Sequence, residues 1–530
     1  MVTLRSHTLE KTRRSSWAFL PQEIRRMILE EISRQRRWGC ASAVCKEWHA
    51  LIAPKNLNRL ELNRASAEAL KTIILQRHLI RRIHLNIELP SYACRRCQRV
   101  SGLWEPAKLI KKALRKLSGA LETWEPTDRI TLELNVYSPS DPDHWFKIHL
   151  YGFNHEDDGN LLEKQKTWDD PKIGWVKGKQ VTLPNAASIL QLFKTISPEI
   201  AAGAKPAQVP AVKGIVIRRQ MRRRINPSTL CILLERFPNV ESIDYEPWRV
   251  LCHSLDENGL IYGRHDLMMQ VLLRKLPQHA RSVTTFEDFN EQTMEAIRND
   301  MDPSIISMSM QIETRRFTRS ELGEAFAVKS RDLEHLSVAF MIDARDFLRS
   351  CKMLSDWPRL RSLILTAPIM TKGSRDSISG LLVNTGEVAQ QMLHLKSLAI
   401  WHCSREKACA VIFHKNERED RNGHDSATLT WRGTCDFDFS KEVVETWQKV
   451  VCTCNSHQGC FGQCDSHQLL FRIERVEDEI ISHGDAIHHL RLPDGVIDPI
   501  SLRRYARKGH CKERPGQWKL SPVDGPKEDP

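Results

Sequence analysis

Nowhere in the 530-residue chain do enough apolar side chains follow one another to cross a bilayer, which takes roughly 18–20 in a row, so a helical membrane protein is excluded on sequence. The opening "MVTLRSHTLEKTRRSS" is basic and lacks the apolar core of a signal peptide; the expected compartment is the cytoplasm, the nucleus or both, with no membrane contact. Glycine and proline number only 24 and 25, too few for a fibrous or low-complexity protein. Catalytic signatures are missing as well. There is no phosphate-cradling glycine loop, no Gly-x-Ser-x-Gly elbow and no His-Glu-x-x-His helix, and His78, His144 and His335 read as surface or satisfied core residues. The chain is therefore expected to be neither an enzyme nor a cofactor carrier.

What remains is the composition of a folded protein, with 41% hydrophobic and 27% charged residues, long enough for one large domain or two to four ordinary ones. Fifteen cysteines, an odd number without a framework, read mostly as reduced thiols and small core residues. The net charge of +13 peaks in "RRQMRRR", Arg218 to Arg224. That run reads first as a solvated loop, with a nuclear-import signal or an acidic-partner contact as alternatives. No aromatic platform or nucleic-acid module accompanies it, so nucleic acid is not an expected partner.

Near the start, "LPQEIRRMILEEI" predicts a short helix. Pro21 suits a first turn and Glu23 sits where the helix dipole favours an acid, while Ile24, Met27, Ile28, Leu29 and Ile32 recur at three- and four-residue steps in one wide apolar stripe. In "VCKEWHALI", Val44, Trp48 and Leu51 form a second stripe, flanked by Cys45 and Ile52. Helices this short bury too little to be robust alone and need another surface, either the rest of the chain or a partner.

These two motifs, at this separation and this close to the N-terminus, resemble an F-box over roughly residues 16–62, with the basic "SRQRRWGCASA" in place of the family's usual middle. The resemblance implies a small all-α module that binds the Skp-type adaptor of a cullin-RING ubiquitin ligase. By that resemblance the adaptor-contacting residues are Leu20, Pro21, Ile24, Ile28, Leu29, Ile32, Val44, Cys45, Trp48 and Leu51, with Trp48 as the leading hot spot.

Further along, a short phrase recurs in which an apolar residue is followed by others three and five positions on. It is seen in "IRRIHL" (Ile80, Ile83, Leu85), "VESIDY" (Val240, Ile243, Tyr245), "LEHLSV" (Leu333, Leu336, Val338), "LRSLIL" (Leu360, Leu363, Leu365) and "LKSLAI" (Leu395, Leu398, Ile400), and more faintly in "ARSVTT" (Ala280, Val283, Thr285). That spacing is the strand portion of a leucine-rich repeat, here irregular in unit length, and only "LKSLAIWHC" carries an expected residue, Cys403, at the Asn/Cys ladder position. The fold class read from this is α+β or α/β: a small N-terminal all-α F-box followed by an irregular leucine-rich-repeat-like α/β solenoid, with an ordinary α/β domain as the other possibility.

The organisation expected is a basic tail over 1–15, the F-box over 16–62, a first repeat-like part over 63–200 with an inserted loop or hairpin at 154–180, a repeat-like substrate-binding region over 211–507, and a disordered tail over 508–530. "AAGAKPAQVP", Ala201 to Pro210, has linker composition between the two parts. "VCTCNSHQGCFGQCDSH" gathers Cys452, Cys454, Cys460 and Cys464 with His457 and His467, enough soft ligands for a tetrahedral zinc site, and "YACRRC" adds Cys94 and Cys97. Their spacing is not that of a common finger, so reduced loop thiols are the preferred reading and no metal is assigned. The function expected is a non-catalytic substrate-recognition subunit of an SCF-type (Skp-cullin-F-box) ubiquitin ligase, partnered by the adaptor, the cullin scaffold and an unknown protein substrate. The alternative is a nuclear basic scaffold with no ligase association.

Overall fold

The structure, a computed structural model, describes residues 17–32, 38–63, 77–91, 106–125, 129–141, 208–249, 260–287, 320–404, 407–415, 426–455, 468–478 and 483–502, with a few short pieces between them. Two short helices come first, α1 (Gln22–Ile32) and α2 (Lys46–Asn58), and α2 runs directly into a 12-stranded, mostly parallel sheet. Its strands are β1 (Arg59–Asn63), β2 (Arg82–Glu88), β3 (Ile130–Tyr137), β4 (Val212–Ile217), β5 (Ser242–Tyr245), β6 (Ser282–Phe286), β7 (His335–Ala339), β8 (Ser362–Thr366), β9 (Ser397–Ser404), β10 (Lys407–Lys415), β11 (Ser426–Gly433) and β12 (Gln468–Arg475). They lie side by side in the order in which the chain makes them. Pairing is parallel from β1 to β9, antiparallel through β10 and β11, and parallel again between β11 and β12.

The recurring apolar phrase explains the strands. Residues two apart share one face of a strand, so Leu363 and Leu365 point the same way. Parallel register then sets Ile83, Leu132, Ile215, Ile243, Val283, Leu336, Leu363 and Leu398 beside one another in one continuous buried row. Parallel neighbours require a crossover, and a right-handed crossover repeated in one direction along a sheet stacks its helices on one face. The connecting helices are α3 (Pro106–Leu121), α4 (Pro227–Arg236), α5 (Leu260–Lys275), α6 (Ser320–Ser330), α7 (Ala344–Cys351), α8 (Ile369–Lys372), α9 (Arg375–Ala389) and α10 (Lys441–Asn455). Leu117, Leu233, Phe326, Phe347, Leu382 and Trp447 from these helices join the strand row in one apolar core.

Local signals start several of them. The Asn226 side chain accepts the Ser228 N–H and Pro227 opens α4; Asp343 accepts the Arg345 N–H ahead of α7; Ser374 accepts the Ser377 N–H ahead of α9. The sheet's other face is covered by the end of the chain. After β12, Val476, Ile480, Val496 and Ile497, with Ala486 and Ile487 of α11 (His483–His489), pack over Phe286, Ile364 and Trp401 as a second, smaller core.

Some sequence expectations change here. β3 pairs with β4, so the sheet continues from one side of the linker-like 201–210 to the other, and the Val209 N–H donates to the Arg236 carbonyl at 2.7 Å; residues 201–207 lie outside the described residues. Within the expected insertion, Trp175–Val176 and Lys179–Gln180 form a small antiparallel pair. Cys403 is not a ladder residue: it stays in β9, paired with Ala408, and points into the smaller core. The tails 1–15 and 508–530, and the Cys94–Cys97 pair, lie outside the described residues.

Candidate functional site

The N-terminal helices are held together by one carboxylate. Glu47, in the first turn of α2, accepts from the Trp17 Nε1 at 2.9 Å and from Arg25 of α1 at 3.1 Å, and the Trp17 ring lies 5.2 Å from Trp48. Ile52 and Ala53 are buried, with Leu57 and Leu60 packed on the large core, so α2 is anchored to the β1 edge of the sheet. Several large apolar residues of this module are nevertheless exposed. Phe19 is 85% exposed, Met27 64% and Val44 62%, and Ile24 and Ile28, which share one face of α1 with Met27, are exposed too. A cluster of large apolar side chains facing solvent is costly unless something covers it, and such patches mark interaction surfaces.

Of the residues expected to meet an adaptor, Pro21, Ile24, Ile28, Val44 and Cys45 are exposed, and Leu20, Ile32, Trp48 and Leu51 are half-buried. Leu29 is a correction: it is buried inside the chain, on the inward side of α1, and anchors the helix instead of presenting a contact. Trp48 is engaged with Trp17, so the outward surface rests on the aliphatic residues and Phe19 more than on that ring.

The run Arg218 to Arg224 is the largest correction. Arg218, Arg223 and Arg224 are buried, not solvated, each facing a carboxylate that lies far off in sequence. Arg218 donates to Glu133, from its Nε at 2.7 Å; Arg223 makes a two-pronged pair with Asp141 at 2.5 and 2.6 Å; Arg224 lies 3.4 Å from Glu287 and also contacts His265. Arg219 stacks its guanidinium over Trp248 at 5.2 Å. The run follows β4 into the polar part of the sheet's second face, and that is what turns it inward.

Glu133 is the centre of that polar part. Besides Arg218 it faces Arg82 at 3.2 Å, Arg59 at 3.8 Å and the His84 ring at 3.4 Å. Burial works to raise its pKa, but His84 and the three arginines overcome this and hold the carboxyl down at about 2. Burial, reinforced by the same arginines against Glu133, holds His84 down at about 4, so it is neutral at physiological pH. The end of the chain closes the cluster. Asp498 accepts from Arg82 at 3.1 Å, and its own N–H donates to Glu246 at 2.8 Å while the Ser501 hydroxyl donates to the other Glu246 oxygen at 2.7 Å. Burial first and Asp498 second push Glu246 up to about 8. Glu133 stays ionised and His84 neutral, and Glu246, although raised into the neutral range, is fully buried with both oxygens engaged by Asp498, Ser501 and the Arg219 N–H, so the arrangement suits a structural clamp.

Among the described residues no cluster of His, Cys, Asp and Glu could hold a metal ion. Cys460, Cys464, His457 and His467 fall outside those residues, and Cys452 and Cys454 lie at the end of α10 with their side chains undescribed. Of the described thiols, Cys231, Cys351, Cys403 and Cys409 are buried, and burial, then Cys435, raises Cys409 to about 12. Likewise, among the described residues no helix is long and apolar enough to cross a membrane.

The model of a family of unknown function (DUF6546) matches residues 275–498. The match spans the sheet from β6 onward and ends on Asp498. No curated protein and no solved structure matches the chain.

Proposed function

We propose that this protein is a non-catalytic substrate receptor of an SCF-type ubiquitin ligase. The observation that carries the reading is the exposed apolar face of α1, with Ile24, Met27 and Ile28 outward, together with the exposed Phe19 ahead of it and Val44 ahead of α2, in the segment where the F-box resemblance expects a Skp-type adaptor. The rest of the chain supports it in a weaker way: twelve strands in chain order, with helices stacked on one face, are what an irregular leucine-rich-repeat-like solenoid would present as a body for holding another protein. In such an assembly the chain needs no chemistry of its own. Holding a substrate's lysines near a charged ubiquitin-conjugating enzyme raises their effective concentration, and that is the catalytic contribution. The alternative, a basic scaffold using Arg218 to Arg224, has lost its main support, because three of those arginines are buried against carboxylates.

The test is capture of adaptor and cullin by the full chain and by an Ile24→Asp, Ile28→Asp, Val44→Asp variant. All three positions face solvent, so the variant is expected to keep its circular dichroism spectrum and melting temperature while losing both partners. Failure of the unaltered chain to bind, or undiminished binding by the variant, rejects the receptor reading.

A further inference from the structure

Residues at one end of the strands form a second row along the sheet, most of them immediately preceding a strand, with Lys213 inside β4 and Lys415 at the end of β10. The Glu241 N–H donates to the Lys213 carbonyl, Arg281 to Glu241, Glu334 to Arg281, Arg361 to Glu334, Lys396 to Arg361 and Lys415 to Lys396, each at 2.7–2.8 Å. Their side chains are thereby stacked at the strand spacing of about 4.8 Å. In the first part of the row the signs alternate and cancel: Lys213 and Arg129 pair with Glu241 at 3.3 and 3.0 Å, and Arg281 pairs with Glu334 at 3.3 Å. From Arg361 onward the row continues through Lys396 and Lys415, which engage partners of their own, so the charge left over concentrates at Arg361 and its neighbour Arg359.

The excess charge also has a shape. A cleft of about 440 Å³ opens at this end of β6 to β9, lined by His279, Arg281, Glu334, Arg359, Arg361 and His394. Among the described residues no carboxylate pairs with Arg359 or Arg361, whose exposed guanidiniums are five-donor forks suited to a compact anion. We infer that this cleft binds an acidic peptide segment, one that places a doubly charged group, either a phosphorylated side chain or two adjacent carboxylates, between Arg359 and Arg361. Its size suits one such group. No Trp, Tyr or Phe ring lines the cleft to stack a base, its rings being the imidazoles of His279 and His394, which argues for peptide over nucleic acid. The inference rests on the receptor reading for its biological sense, since it names the chemistry of the substrate.

Fluorescence anisotropy on the full chain at low ionic strength tests it, using one labelled peptide in three forms, with a central Ser, phosphoserine or Asp-Asp, and a homopolymeric single-stranded DNA. Tighter binding of phosphoserine or Asp-Asp than Ser, by about tenfold or more, is expected, and the stronger of the two identifies the source of the charge. An Arg359→Ala, Arg361→Ala variant should remove that preference. A Glu334→Gln variant, which frees Arg281 and lifts a repelling charge, should bind the acidic peptide several-fold more tightly, a gain that misfolding cannot produce. Equal binding of all three peptides, or an unchanged preference in the arginine variant, overturns the proposal; preferential binding of the DNA through the same arginines overturns it in favour of nucleic acid. Adaptor capture is read separately through α1, so either proposal can fail without the other.

Discussion

Single ionisable residues set how the fold responds to pH. The unfolded chain protonates His84 and His402 near the ordinary histidine pKa of about 6.5, whereas burial holds the folded values at about 4 and about 3. Their contribution is therefore complete above pH 6.5 and lost as the pH falls through that window, with Glu133 adding its own loss between about 4.5 and 2. Glu246, raised to about 8, has the opposite sign and costs stability as the pH rises from about 4.5 toward 8. The raised carboxyls of Glu246 and Asp244 offset the histidines over this window, so the histidine contribution is read by difference: between pH 6.5 and 4 the midpoint of thermal unfolding should shift downward more in the unaltered protein than in a His84→Asn, His402→Asn variant, and parallel curves for the two would show that other groups govern the acid limb. At the same scale, Arg223→Ala leaves Asp141 buried without its two-pronged partner and should cost about 3–5 kcal/mol in chemical denaturation, far more than loss of a solvated loop arginine.

Among the elements, the segment from Val476 to Ser501 has a role that its own composition does not announce. It is short, carries α11 and a further helical turn at 499–502, and yet covers Phe286, Ile364 and Trp401, which otherwise face water. The aromatic rings of Phe340, Trp401 and His483 meet there, with Phe340 at 5.1 Å from Trp401 and 4.6 Å from His483. A chain truncated after Glu474 is expected to expose this apolar face, bind a hydrophobic dye and lose hydrogen-exchange protection in β6, β8 and β9, while α6 and α7 on the other face keep theirs. Unaltered exchange in those strands would mean that the segment merely rests on the sheet.

For the molecule as a whole, strands in chain order mean that most contacts are made between neighbours, as in a quasi-one-dimensional stack. The segment after β12 departs from this: within it, Asp498 bonds to Arg82 on β2, 416 positions away in sequence, and through its N–H to Glu246 after β5. Asp498→Ala should therefore loosen the strands it reaches: exchange in β2 and β3 should quicken while β7 and β8 stay protected. A uniform change along the sheet would indicate that Asp498 contributes only local stability.

Sequence alone determined the repeating elements. The three-and-five apolar phrase is a local pattern, and each copy, from "IRRIHL" to "LKSLAI", became a strand with its apolar residues buried. The apolar stripe of α1 was legible for the same reason, since an amphipathic helix is written within a few turns of chain, but not which of its residues the rest of the chain would cover. What only the tertiary structure decided is pairing across distance. Arg218, Arg223 and Arg224 look like surface charge until Glu133, Asp141 and Glu287 are brought beside them, and Leu29 looks outward until the rest of the chain closes over it. The bare cations at Arg359 and Arg361 are also invisible one strand at a time, because their lack of compensation emerges only when parallel register stacks the strands and shows where the acids stop. Charge and apolar periodicity are properties of a segment, whereas desolvation and partnership are properties of a place, and a place exists only once the chain has folded.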